Sequence, residues 1–122
     1  MNSNIRGKTL KGYSTMTTET VNALIANSPI QGRLKQFEWS DESDQYTTRL
    51  HIHVNKDYSI SIIRGDYSYG GRDGLFEMAV IGRKEGLIRM PFYASDDCVQ
   101  GYLTPSALFE MIEKTLDWID NK

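Results

Sequence analysis

The clearest hydrophobic pattern in the chain is a strict alternation over YTTRLHIHVN, residues 46–55. One set of positions, Tyr46, Thr48, Leu50, Ile52 and Val54, alternates with a second set, Thr47, Arg49, His51 and His53. Successive side chains of a strand point to opposite faces, so this period predicts a half-buried strand whose first set faces a core. The same period recurs after a turn at residues 55–57, and it predicts inward-facing Tyr58, Ile60 and Ile62.

Further strands are predicted from three shorter runs, residues 34–39, 75–81 and 87–92. In the first of these runs, Phe37 and Trp39 share a face. The Gly70-Gly71 pair is predicted to be a two-residue hairpin turn, because glycine accepts positive φ at both central positions. Pro91 cannot donate to a ladder, so the last strand should be an edge or irregular there. Residues 94–101 are predicted to form a loop.

Helical spacing of apolar residues flanks the strands on both sides. A first helix is predicted to open at residues 17–19, to end at Ser28-Pro29 and to bury one stripe, Val21, Leu24 and Ile25. Thr104-Pro105 predicts the start of a second helix, since a capping hydroxyl precedes a proline at the first helical position. The buried stripe of this helix contains Leu108, Ile112, Leu116 and Ile119.

The order of these elements predicts an α+β fold. Short connections favour an antiparallel meander of about five strands, with an N-terminal and a C-terminal helix packed on one face of the sheet. Residues 1–15 carry Arg6, Lys8 and Lys11 and no acid, and are predicted to form a flexible basic arm. Residues 16–122 are predicted to form a single domain.

Composition narrows the class of function. The net charge is −2, with the acidity concentrated in residues 94–122, which argues against a general polyanion binder. The single cysteine, Cys98, excludes an intramolecular disulfide and a cysteine-based metal cluster. No apolar run approaches the roughly 20 residues of a membrane span, and MNSNIRGKTLKGYST lacks the apolar core of a secretory signal. We therefore expect a cytoplasmic protein without membrane contact.

Catalytic and metal-binding patterns are weak. His51 and His53 lie on one strand face, but no third metal ligand is evident beyond Glu77. Ser59 and Ser61 fit the polar side of a strand, and the chain has neither a nucleophile elbow nor a phosphate-binding loop. Asp96-Asp97 lacks the spacing of a calcium loop. We expect no enzymatic activity, no metal and no cofactor.

A surface is the better candidate for function. By alternation, the sheet face opposite the helices carries Arg49, the two histidines and the two serines, and Glu77, Arg89 and Tyr93 are expected to join them. If the third strand stays regular past Gly65, Tyr67 and Tyr69 lie on this face, with Arg64 and Arg72 beside the turn. Aromatic rings interleaved with arginines are typical of single-stranded nucleic-acid binding. The predicted nucleic-acid-binding residues are Arg49, His51, His53, Arg64, Tyr67, Tyr69, Arg72, Arg89 and Tyr93.

The same features also fit an ordinary exposed hairpin. Tyrosine is a good strand residue, exposed arginines are common, and Asp66 and Asp73 formally neutralise Arg64 and Arg72. Pattern alone therefore leaves nucleic-acid binding and a solvated hairpin both open.

Two stretches, MTTETVNALIANSPIQGRL and TPSALFEMIEKTLDWIDNK, together with the chain length, resemble the small early proteins of the Ea group of lambda-like bacteriophages. The resemblance implies a single-stranded-DNA-binding protein that acts in phage DNA metabolism in the cytoplasm of the host bacterium. It transfers no binding residues to positions here. The alternative is an adaptor or inhibitor that binds a host protein through the hairpin, the edge near Pro91 or the acidic helix 105–120. An unpaired edge strand would also permit a homodimer.

Overall fold

The computed structural model describes residues 5–6 and 21–122 of the chain, with side chains for residues 21–122. Its helices in this part of the chain are α1 (residues 21–26), α2 (Gln31–Leu34) and α3 (Pro105–Asp120). Its strands are β1 (Ile5–Arg6), β2 (Glu38–Asp41), β3 (Thr48–His53), β4 (Tyr58–Arg64), β5 (Phe76–Gly82), β6 (Gly86–Ile88) and β7 (Val99–Leu103). Within the described residues, no helix combines the length and the apolar character needed to cross a membrane.

One sheet contains all of these strands. Strands β2 to β6 follow one another as an antiparallel meander, β1 pairs in parallel with β2, and β7 pairs antiparallel with β5. The predicted α+β class and the meander are confirmed. Of the predicted N-terminal arm, only Ile5 and Arg6 lie within the described part of the chain, and they form β1. The predicted opening of the first helix at residues 17–19 also falls outside it.

The helices cover one face of the sheet. The strands contribute Trp39, Leu50, Ile52, Ile60, Ile62, Met78 and Val80 to the core, and all are fully buried. Val21 and Ile25 of α1 and Leu108 and Ile112 of α3 belong to the same hydrophobic cluster. The opposite face, here called the open face, carries the alternate residues of each strand.

The C-terminal helix begins where the sequence predicts. The Thr104 hydroxyl accepts a hydrogen bond of 3.1 Å from the amide of Ala107, and Pro105 occupies the first helical position. Near the other end of α3, the Arg33 guanidinium lies 2.9 Å from a carboxylate oxygen of Asp117 and of Asp120. These ion pairs tie α2 to α3.

The outer edge of β5 is shared by two strands. β6 pairs with Val80–Gly82, whereas β7 pairs with Phe76–Ala79. The prediction of a loop over residues 94–101 is wrong at its C-terminal end, because Val99 starts β7. The register shifts between Phe76 and Met78, so that Gly101 and Tyr102 stand opposite Glu77 as a β-bulge.

Two strand boundaries differ from the predictions because local hydrogen bonds stop the strands. Leu34 ends α2 rather than starting a strand, and its carbonyl accepts the Trp39 indole N–H at 3.2 Å. Tyr46 was expected to face the core but is 79% exposed. The Asp44 carboxylate accepts the amides of Tyr46 and Thr47 at 2.8 Å, and this turn replaces the start of the strand.

Candidate nucleic-acid interface

The connection between β4 and β5, residues 65–75, is a compact loop and not the predicted two-residue turn. The Ser68 hydroxyl donates to the Gly65 carbonyl at 2.9 Å and accepts from the Gly65 amide at 3.0 Å. Gly70 has a φ of +87°, but Gly71 starts a 3-10 turn that ends at Asp73. The backbone is therefore reversed by a clamped loop rather than by a tight hairpin.

Gly71 is required in this loop by close contact rather than by its own φ. A Cβ at this position would collide with the carbonyl oxygen of Gly65, which is backbone and cannot rotate away. The loop is also closed at its far side, where the Leu75 amide donates to the Gly70 carbonyl at 3.0 Å. These hydrogen bonds and this close contact tie together the backbone of the loop beneath the side chains that it displays.

Tyr67 and Tyr69 both project from this loop into solvent. Tyr67 is 97% exposed and Tyr69 is 55% exposed. The Tyr69 amide donates a hydrogen bond of 2.9 Å to the Glu77 carboxylate of β5, which fixes the loop over the open face.

Tyr67 also lines a shallow hollow at this end of the open face, the open-face hollow. Its volume is about 180 Å³ and its lining is Thr47, Arg49, Ile63, Gly65, Tyr67, Ser68 and Glu77. Arg49, Ile63 and Glu77 are direct neighbours across three strands. Adjacent strands lie about 4.8 Å apart, so the backbones of Arg49 and Glu77, on either side of Ile63, are roughly 10 Å from each other. In the hollow, the apolar Ile63 thus lies between the cationic Arg49 and the carboxylate of Glu77. The aromatic ring of Tyr67 also lines it.

A further exposed tyrosine, Tyr102, lies beside the β4–β5 loop and was missed from the sequence. It is 64% exposed, it occupies the bulge opposite Glu77, and its amide donates to the Tyr69 carbonyl at 3.1 Å. The available signal was Gly101, because a glycine within a strand often marks a bulge.

Of the four arginines predicted to bind nucleic acid, two have free guanidinium groups and two contact other residues of the protein. Arg49 and Arg72 are exposed, and neither guanidinium makes a hydrogen bond or ion pair with another described residue. Arg64 shares the helix-side face with Ile62, and its guanidinium carbon lies 4.7 Å from the centre of the Phe76 ring. Arg89 donates to the Ser95 carbonyl at 3.1 Å. Arg64 and Arg89 therefore do not join the open-face hollow.

Tyr93 does not lie on the open face, and this prediction is wrong. It is only 5% exposed and belongs to the hydrophobic core, because β6 ends at Ile88 and the chain turns inward around Pro91. Its amide donates to the Met90 carbonyl at 3.1 Å, which closes that turn. Burial raises the pKa of Tyr93 to about 12, and its hydroxyl has no hydrogen-bond partner among the described residues. A side chain in this position cannot stack on an external base.

The two histidines lie on the open face next to the hollow. Their ring centres are 6.3 Å apart, and His53 Nε2 lies 2.5 Å from the Ser40 hydroxyl oxygen. Burial lowers the pKa of His51, although Glu42, 3.8 Å from its Nδ1, acts in the opposite direction. Burial therefore favours the neutral form of His51. In residues 21–122 no three His, Cys, Asp or Glu side chains are grouped to hold a metal ion.

The charge near the loop is slightly acidic. Residues 64–77 carry two arginines, Arg64 and Arg72, against Asp66, Asp73 and Glu77. A polyanion would gain little from Coulomb attraction here, so any affinity for a nucleic acid must come largely from base stacking.

Comparison with protein-family models, with curated protein sequences and with solved structures finds no match to this chain. The resemblance to early phage proteins, and the DNA binding that it implies, therefore stays a prediction.

Proposed function

We propose that this protein binds single-stranded DNA, without catalysing a reaction, through the open-face hollow and the β4–β5 loop. The observation that carries the proposal is the exposed Tyr67 ring in the same hollow as the free guanidinium of Arg49, with a second exposed ring, Tyr69, two residues further along the same loop. Bases stack on exposed tyrosines, and guanidinium groups bind phosphates or stack in turn. In line with the phage resemblance, the compartment proposed is the cytoplasm of an infected bacterium.

The internal hydrogen bonds of the loop favour this function over a passive exposed turn. Ser68 clamps Gly65, and Glu77 holds the Tyr69 amide, so little order has to be gained when a ligand binds. Stacking contributes roughly 1–3 kcal/mol per base. With two stacked bases and two arginine contacts, we expect dissociation constants of about 1–100 μM at low salt.

The proposed interface accepts unpaired bases and rejects duplex. Tyr67 and Tyr69 can stack only on a base whose face is free, and in duplex DNA both faces are covered. The protein should therefore bind a fluorescein-labelled single strand of about 20 nucleotides, and bind the same sequence as duplex at least about tenfold more weakly.

Fluorescence anisotropy with this oligonucleotide tests the proposal. Tyr67→Ala and Tyr69→Ala should each weaken binding roughly five- to tenfold, whereas Tyr46→Ala should not, because Tyr46 is exposed but belongs neither to the open-face hollow nor to the β4–β5 loop. Replacing Arg49 or Arg72 with Gln should reduce the slope of log affinity against log salt by about 0.7 each. No anisotropy change at about 100 μM protein in low salt, or binding insensitive to both tyrosine changes, would refute the proposal.

A second candidate, binding of a protein partner, is favoured by the edge strand β6. Leu87 is 54% exposed there and pairs with Ile81 on the open face. A strand of a host protein, or of a second copy of this chain, could extend the sheet at this edge. A complex that survives nuclease treatment and is lost in Leu87→Lys, but not in Tyr67→Ala, would support this function instead.

A further inference from the structure

We infer that Tyr102 is a third base-stacking side chain of the proposed interface, held in position by strained backbone in the bulge of β7. This inference rests on the proposed function and extends its site onto a strand that was not predicted from the sequence. It adds an exposed ring beside Tyr69, on the strand that pairs with β5 on the side away from Arg49.

The position of Tyr102 is set by two neighbouring strands and the loop. In the bulge, Tyr102 stands opposite Glu77, whose carboxylate accepts the Tyr69 amide. The Tyr69 carbonyl in turn accepts the Tyr102 amide at 3.1 Å. The backbone of Tyr69 is therefore bound on both sides, to β5 and to β7, and the two tyrosines are held as immediate neighbours.

The backbone of Tyr102 is strained. Its φ is +57°, the left-handed region, and among the residues that the structure describes it alone adopts positive φ without being glycine. Asn and Asp enter this region more easily because their short side chains bond to the local backbone, and tyrosine has no such compensation. Residues held in this way tend to occur at binding sites, where the surrounding structure fixes them.

Packing of the ring does not account for the strain. The Tyr102 side chain is mostly exposed, and it stacks on no aromatic ring of the described chain. The ring lies next to Gly70 of the loop, where an added Cβ would be 2.9 Å from the Tyr102 Cα and 3.1 Å from its Cδ1. An exposed tyrosine with little burial contributes little to stability, so a residue that relieves the strain would serve the fold at least as well.

The bulge places the Tyr102 backbone beside the proposed interface. A bulge inserts one residue and changes the direction of a side chain that regular pairing would fix. Here Gly101 and Tyr102 share the place opposite Glu77, which belongs to the same cross-strand row as Ile63 and Arg49. A strand of DNA crossing that row would meet Arg49 first, then the loop tyrosines, and then Tyr102.

The test separates the contribution of the ring to binding from its contribution to folding. Tyr102→Asn removes the ring and suits positive φ. Its melting temperature should therefore be no more than about 2 °C below that of the wild type, and it can be higher. Its affinity for the single-stranded oligonucleotide should fall roughly five- to tenfold. Tyr102→Phe keeps the ring and should retain wild-type affinity. Tyr46→Asn changes an exposed tyrosine that belongs neither to the loop nor to β7, and it should leave affinity unchanged.

Photocrosslinking adds a readout that a structural role would not produce. An oligonucleotide that contains 5-iodouracil should crosslink to the peptide carrying Tyr102, as well as to the loop peptide carrying Tyr67 and Tyr69. If the wild type binds and Tyr67→Ala weakens binding, but Tyr102→Asn binds normally or melts several degrees lower, the inference about Tyr102 is wrong and the proposed function stands. If the wild type binds no oligonucleotide, both are wrong.

Discussion

The amide of Tyr69 donates a 2.9 Å hydrogen bond to the carboxylate of Glu77, so a residue in the middle of the sheet holds the loop that displays two exposed tyrosines. Removing this acceptor should loosen the loop without disturbing the core, since Glu77 lies on the open face. We expect Glu77→Ala to lower the free energy of unfolding by about 1 kcal/mol and to speed hydrogen exchange at the Tyr69 amide.

Glu77→Gln is the matched variant for that experiment. It keeps an acceptor for the Tyr69 amide but removes a negative charge from the open-face hollow, so stability should change little and affinity for single-stranded DNA should rise a few-fold. Equal stabilities of the Ala and Gln variants in urea unfolding would show that this hydrogen bond does not anchor the loop.

Gly71 should tolerate no side chain. In Gly71→Ala the new methyl group meets the carbonyl oxygen of Gly65, so the loop must shift as a unit. We expect a loss of about 2–4 kcal/mol in the free energy of unfolding, measured with urea. Gly74→Ala is the control: no atom lies within 4 Å of its Cβ, and only its φ of +76° opposes the change, which should cost about 1 kcal/mol.

Tyr93 should be replaceable by phenylalanine. Its hydroxyl is buried without a partner in the described residues, so Tyr93→Phe should leave stability at neutral pH unchanged or raise it by up to about 1 kcal/mol. Oligonucleotide affinity should equal that of the wild type, because the ring lies in the core. A tenfold loss of affinity without a loss of stability would contradict the buried position.

The same residue makes stability depend on alkaline pH. Its folded-state pKa of about 12 lies above the ordinary value of 10, so the folded state binds more protons between these values. This contribution to stability is complete below about pH 10 and is lost as the pH rises toward 12. Urea unfolding across this range should show a smaller decline for Tyr93→Phe than for the wild type.

His51 should make stability depend on mildly acidic pH. Burial lowers its folded-state pKa, so the folded protein binds fewer protons than the unfolded chain below about pH 6.5. The contribution of His51 is complete above that pH and is lost as the pH falls through its lowered pKa. His51→Gln should therefore lose less stability than the wild type between about pH 7.5 and pH 5.5. His53→Gln, which keeps His51, should retain that His51-dependent decline.

Strand periodicity predicts the open face well because it is a local property of the backbone. Arg49, His51 and His53 share that face, as the alternation over residues 46–55 indicates. The position of Tyr93 depends instead on a turn that folds back onto a core assembled from distant parts of the chain. The bulge at Tyr102 likewise arises from pairing with β5, more than twenty residues earlier, and its only local signal is Gly101.

The β4–β5 loop could be predicted from the sequence in part. A glycine pair correctly marks a change of direction, but the choice between a tight turn and a clamped loop depends on Ser68 and on contact between Gly71 and Gly65. These contacts are visible only in three dimensions. Sequence patterns thus predicted the exposed tyrosines Tyr67 and Tyr69 as candidates but could not establish their orientation.

The shared outer edge of β5 has a consequence for how the chain is completed during synthesis. β6 covers only the second half of that edge, so a growing chain that ends before Val99 leaves Phe76–Ala79 unpaired on that side. The strand that closes this gap also carries Tyr102 and supplies the amide that fixes Tyr69. A nascent or prematurely terminated chain therefore contains the tyrosine loop before it contains the strand that orders it.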